Sequence, residues 1–197
     1  MTADSNRRGS VRITDRVLLA VHKVDPARYQ AIAEEFANGI SIYNQEGLGE
    51  IQMFIGAQTA LNRLQDRDLD LAEFLKHMDN KVNLLLQRVQ GERSLFDDLA
   101  PHKVSLSSSG LAFTSQEKYS QGDILEIHLV LLPDYTYIYA FARVVSCEPK
   151  GTVEGKPIYR VGVEYTLIME EDQEKLVQHN FRQQTLALRA RRLSREE

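Results

Sequence analysis

Arg7, Arg8 and Arg12 crowd together ahead of the first apolar run, and Arg8 and Arg12 stand four positions apart. Guanidinium groups are planar, permanently charged forks, suited to clasping phosphate or another planar acceptor. Far along the chain, Ser105-Leu106-Ser107-Ser108-Ser109-Gly110 precedes the apolar Leu111-Ala112-Phe113. It offers hydroxyls, and a glycine that lets a backbone approach closely. Taken singly, each cluster has a plainer reading: arginines near a terminus are solvated, and serines with glycine make a turn. Arg12 and Arg16 spell the same spacing in a second register, but Arg16 lies closer to the strand.

Catalysis is a poor fit. His22, His77, His102, His128 and His179 are scattered without ligand spacing, and the single Cys147 has no zinc-partner pattern. Asp97-Asp98 and Glu170-Glu171-Asp172 fall where helix ends are expected and read as solvated caps. His102 and His128 read as surface or edge-strand side chains. The chain is expected to be no enzyme and to carry no metal or cofactor.

The elements that must hold these residues follow from periodicity. Val17 to Val21 reads as a strand, and Asp25-Pro26 as a helix start with an Asp cap and a proline in the first turn. Tyr29, Ile32, Ala33 and Phe36 then form one apolar stripe, closed by Asn38-Gly39 or extended through Ile40 to Tyr43. A second helix is expected from Glu50 to about Leu64, with Ile51, Phe54, Ile55 and Leu61 on one side. Asp70 with Glu73 has the spacing of a reciprocal cap. Beyond it Leu71, Leu75, Met78, Val82, Leu85 and Val89 alternate spacings of four and three, the seam of a coiled coil, with Gly91 closing it. Ala72, Phe74 and Leu86 flank that seam, which predicts three or four strands rather than two. The alternative is packing on the chain's own helices.

Past Pro101 the texture is strand. Leu125, Ile127, Leu129 and Leu131 alternate with Glu126, His128 and Val130, the pattern of a half-buried strand. Leu132-Pro133-Asp134 turns the chain into a run from Tyr135 to Ser146. Pro149, Gly151 and Gly155 mark a long turn before Ile158 to Tyr165. Short strands with close turn residues predict a small barrel or sandwich. A last helix is expected from about Glu170 to Arg192, with Leu176, Val177, Phe181, Leu186 and Leu188 as candidate buried residues.

Composition sets the outer limits. The 197 residues are 43% hydrophobic and 26% charged, as in ordinary globular chains, and the net charge of −4 offers nothing to neutralise a nucleic-acid backbone. One cysteine excludes an internal disulfide and fits a reducing compartment. No apolar run reaches the roughly 18–20 residues of a membrane span. The polar, Arg-rich start argues against a signal peptide, so a cytoplasmic location is expected.

In their order, Arg8-Gly-Ser-Val-Arg12, Ser105 to Gly110, Gly122-Asp-Ile-Leu-Glu-Ile127 and Tyr159-Arg-Val-Gly-Val-Glu-Tyr165 resemble the PilZ domain. That family reads cyclic di-GMP in bacteria through RxxxR and [D/N]xSxxG. The resemblance spans about Arg7 to Val24 and Lys103 to Asn180. It implies an α+β fold: a small antiparallel β-barrel with a helical, coiled-coil insertion after the first strand and a C-terminal helix. Residues 1–24 would be the arm and first strand, 25–100 the inserted oligomerisation segment, 101–169 the rest of the barrel and 170–197 the last helix. It also implies cyclic di-GMP as ligand, held by Arg7, Arg8, Arg12, Ser105, Ser107 and Gly110.

Two departures from the family pattern stand out. Ser105 replaces the motif's Asp or Asn, so it reaches less far and cannot accept bidentately. More than ninety residues separate Arg12 from Ser105, and the helical block fills the excess. This is similar to the tetrameric PilZ subgroup, whose inserted helices associate between chains. The function implied is a cyclic di-GMP effector acting as a homotetramer on a downstream protein. The alternative is a degenerate PilZ-like scaffold that binds no nucleotide.

Overall fold

The computed structural model describes residues 12–44, 60–61, 63–65, 67–90 and 98–193. Six antiparallel strands carry the period-two pattern: β1 (Ile13–Lys23), β2 (Ala100–Ser107), β3 (Gly110–Ser115), β4 (Ile124–Leu131), β5 (Thr136–Val153) and β6 (Lys156–Ile168). They close into a barrel in the order β1–β2–β3–β6–β5–β4. One face of every strand fills the interior, where Val17, Leu19, Leu106, Leu125, Ile127, Leu129, Ile138 and Val161 are all but inaccessible. Among the described residues, closure pairs every strand of the barrel with a neighbour on both sides.

Among the described residues three helices have full bounds, α1 (Pro26–Ala37), α2 (Leu69–Gln90) and α3 (Glu170–Leu193), and residues 60–61 and 63–65 are also helical. Asp25 caps α1 by accepting from the backbone N–H of Ala27 at 2.8 Å, and Pro26 sits at its first position. Asn38 ends it, and Gly39 follows at φ +84°, a left-handed conformation glycine adopts without strain. The helix does not continue through Ile40 to Tyr43; a short 3-10 turn, Ile42–Asn44, forms instead. The helix expected from Glu50 to Leu64 lies largely outside the described residues. The cap of α2 is Asp68, whose carboxylate accepts from Leu71 N–H at 3.0 Å, so Asp70 falls in the first turn and is not the cap.

The β5–β6 hairpin corrects a second expectation. Pro149 and Gly151 do not open a long turn. The ladder steps past them by bulges, and the strands reverse only at Glu154-Gly155, both at positive φ.

Beneath α1 lies a second core. The stripe Tyr29, Ile32, Ala33 and Phe36, joined by Ile42 and Tyr43, covers the outer face of β1, β4 and β5 at Leu18, Val130, Tyr137, Tyr139 and Phe141. β4 is therefore buried on both faces, not half-buried. At one end of the barrel, Leu176 of α3 joins the interior cluster, with His179 and Asn180 buried beside it. Val177, Phe181, Leu186 and Leu188, expected inside, are exposed.

Candidate functional site

Strand register brings the two sequence clusters together. Thr14 pairs with Ser105 and Ile13 with Leu106, so Arg12, exposed and one residue earlier, stands level with Ser107. Arg7 and Arg8 lie outside the described residues. Ser107 pairs with Gly110 across the two-residue turn Ser108-Ser109. Its hydroxyl is buried and donates to the Gly110 carbonyl at 2.9 Å, so it closes the turn itself. Gly110 is dictated by packing: a Cβ there would fall on the Val163 carbonyl oxygen of β6. Ser105 is half-buried on the outer face, between Thr14 and Ala112.

That outer face is a shelf. Partners across a ladder share a face, and the register runs Thr14, Ser105, Ala112, Gly162, Ser146 across five neighbouring strands. Every member is small. A Cβ at Gly162 would meet Ser146 Oγ at 2.7 Å, which keeps this row low. Cations border it: Arg16 pairs with Lys103 on one side, and Arg160 pairs with Thr114 and Glu148. On the other side stand Arg12 and the exposed Arg143, which is paired with Glu164. A flat, low floor bordered by four arginines and Lys103, with Glu148 and Glu164 beside two of them, fits a planar, anionic ligand lying against the barrel wall.

Arg12, Ser105, Ser107 and Gly110 were named by the resemblance to the family motifs; Ala112, Gly162, Ser146, Lys103 and Arg160 were not. The one signal for them was Gly162 inside an otherwise strand-like run, which marks a close approach.

A second polar cluster was missed altogether. His128, expected at a surface, has no exposed side-chain area and lies beneath α1. Its Nδ1 and the Tyr137 hydroxyl are hydrogen-bonded at 2.8 Å, and Tyr139 Oη donates to Glu126 Oε1 at 2.6 Å. Arg28 of α1 reaches Glu126 at 3.4 Å. Loss of hydration pushes His128 down from 6.5 to about 4, against the pull of Glu126. Asp172, expected to be a solvated cap, is 1% exposed. It accepts from Tyr43 Oη and, at 2.7 Å, from Lys175 Nζ. Burial, then this carboxylate, raise the Tyr43 phenol far above its ordinary value. The signal was there: Tyr137, Tyr139 and Phe141 recur at period two beside Glu126 and His128.

The far mouth of the barrel holds a cavity of about 590 Å³ whose polar lining includes His22, Asp98, His102, Glu117 and Tyr119. Burial lowers His102, and burial with a 3.0 Å bond to Glu117 pushes Tyr119 up to about 12. Among the described residues no group of three or more His, Cys, Asp or Glu could hold a metal, and no helix is long and apolar enough to cross a membrane.

Comparison with solved structures finds a tetrameric PilZ domain protein of Xanthomonas campestris, self-assembled through a helical bundle. It is 17% identical, the match covers 95% of this chain and 93% of that one, and the TM-score is 0.44. The Bacillus subtilis inhibitor of motility MotI/DgrA is 14% identical over 91% of this chain and 52% of its own, with a TM-score of 0.44. The PilZ domain of Escherichia coli YcgR, solved with cyclic di-GMP, is 14% identical over 52% of this chain and 84% of its own, at 0.37. No curated protein sequence matches. The sequence profile of the PilZ domain matches residues 84–182, half of the chain, which takes in β2 to β6 and the first half of α3. The chain belongs to the PilZ domain family.

Proposed function

We propose that this protein is a cyclic di-GMP-binding effector, not an enzyme, that acts as an oligomer through contact with a downstream protein.

The observation that carries this reading is the shelf: Ser105 lies in a flat row of small residues, with Arg12, Gly110 and Arg143 along one side and Arg16, Lys103 and Arg160 along the other. A ligand with two guanines and two phosphates needs a flat floor for a base and fixed cations for its charge. Arg can pair bidentately with guanine O6 and N7 or clasp a phosphate. Arg7 and Arg8 precede Arg12 on the same arm and complete the set, with Ser107 shaping the turn.

The oligomeric part rests on α2. Leu71, Leu75, Met78 and Val82 keep 41–48% of their surface exposed, and Phe74 60%. Leu85 and Val89 continue the helix, and their side chains lie outside the described residues. An apolar line of this length on an amphipathic helix is suited to an inter-chain bundle. Residues 25–100 thus serve as the assembly segment of a tetramer, as in the tetrameric PilZ subgroup, between barrel pieces 1–24 and 101–169, with 170–197 as the last helix.

Calorimetric titration of the purified protein with cyclic di-GMP, with cyclic di-AMP as control, tests the ligand. Binding is expected, and Arg8→Ala and Arg12→Ala should each weaken it at least tenfold, in line with about 1–3 kcal/mol per bidentate guanine contact. Ser105→Asp or Ser105→Asn should tighten it, because a longer acceptor regains a hydrogen bond worth about 0.5–3 kcal/mol. A wild-type titration without heat at millimolar ligand overturns the effector reading. The Ser105 departure would then mark a scaffold that has lost its nucleotide.

A further inference from the structure

The last helix has two faces. Asp172, Leu176, His179 and Asn180 are buried against the barrel. On the opposite side Val177, Phe181 and Leu188 are 52%, 73% and 58% exposed. These three do not stand alone. Glu174, Val177, Phe181, Gln184, Leu188 and position 191, an arginine, follow one another at spacings of three and four along α3, a single seam down the helix. Acid stands at its start, apolar residues in its middle and base at its end.

We propose that this seam pairs with the same seam of a second copy, antiparallel, about a two-fold axis passing between residues 182 and 183. That alignment sets Val177 against Leu188 of the second copy, Phe181 against its Gln184, and Glu174 against its Arg191. Each contact occurs twice, as an isologous interface requires. A parallel pairing would put Glu174 on Glu174 and Arg191 on Arg191, like charge against like, so the charge pattern itself selects the antiparallel arrangement. The surface is also held in place. Arg182, off the seam, is ion-paired with Asp134, and Asp172 and His179 bond to Tyr43 and Asp15 of the barrel side, so α3 presents a fixed line and not a loose one. A groove of about 460 Å³, lined by Ser108, Glu170, Gln173, Glu174, Val177 and Gln178, runs beside the start of the seam and leaves room for the end of the second helix. This pairing uses a different face from α2 and rests neither on the bundle nor on the ligand.

The test uses the full chain carrying Val82→Asp, so that association through α2 does not mask the result. Sedimentation should still show a dimer, and adding Phe181→Asp should weaken it at least tenfold; Phe181 is exposed enough that the change leaves the fold intact. Glu174→Arg and Arg191→Glu should each weaken the dimer, and the two together should restore it. In a Cys147→Ser background, Val177→Cys combined with Leu188→Cys should give a covalent dimer on oxidation, while neither cysteine does so alone. Association that Phe181→Asp leaves unchanged, a Val82→Asp protein that is monomeric and not cross-linked by the cysteine pair, or cross-linking through Val177→Cys alone would overturn the proposal.

Discussion

Gly110 shows how one residue serves the fold and the site together. It begins β3, pairs with Ser107 on one side and Glu164 on the other, and lies so close to β6 that any Cβ would meet backbone. The obstacle is a carbonyl in a ladder, not the movable end of a side chain, so relief requires shifting a strand. Gly110→Ala should therefore destabilise the barrel by about 1–3 kcal/mol, the usual cost of overpacking. A lower urea midpoint with an unchanged slope would report it; an unaltered midpoint would show that β3 and β6 separate freely. The same residue explains why the Ser107 hydroxyl turns inward. Its donation to the Gly110 carbonyl fixes the hairpin that carries Ser105 beside Arg12.

At the scale of elements, α1 is held to the barrel through a buried polar layer as well as through its apolar stripe. His128 is neutral there because burial disfavours its charged form. The groups facing it are Glu126 on its own strand, Tyr137 and Tyr139 on β5, His22 on β1, Arg28 on α1, and Asp98. Between pH 6.5 and about 4 the unfolded chain takes up a proton at this position and the folded one does not. Stability is thus complete above pH 6.5 and falls as the pH drops toward 4, by up to about 3 kcal/mol at 1.36 kcal/mol per pH unit. Thermal unfolding of wild type and His128→Gln across that range should give a steeper loss for wild type. Parallel curves would show that His128 does not set the acid sensitivity.

These elements also mark what the sequence could and could not disclose. The strand alternation of β4 and the bounds of α3 were legible because they are local. What covers Glu126 and His128 was not, because the answer, α1, lies about a hundred positions earlier and announces only that it has an apolar face. The inward line of α3 was misread for the same reason: Val177, Phe181 and Leu188 look like core until the barrel is in place and takes only Leu176 of the five residues expected inside. At the candidate site, the resemblance to the family motifs named Arg12, Ser105 and Gly110. The shelf needed register, which joins Thr14 to Ser146 through four ladders that no local pattern specifies.

For the whole molecule, the decisive quantity is how much apolar surface the described chain leaves uncovered on α2. Leu71, Phe74, Leu75, Met78 and Val82 are all more than two-fifths exposed, whereas among the described side chains of that stretch only Ala72 is fully buried. The described first half of the helix therefore offers an apolar face outward. Burying a side chain of this kind is worth about 1.5–3 kcal/mol. Several of them repeated around a bundle exceed what a chain gains by leaving them in water, and flanking Phe74 favours more than two helices. A single carboxylate inside such a seam would have to be desolvated without a partner, which costs more than one apolar contact returns. Val82→Asp and Leu85→Asp should accordingly take the bundle apart, leaving at most the dimer paired through α3, while the barrel keeps its folded spectrum. Sedimentation equilibrium at tens of micromolar reads the outcome directly. A wild-type protein that is already monomeric there would refute the bundle, and would mean that the outward face of α2 is covered within the chain itself.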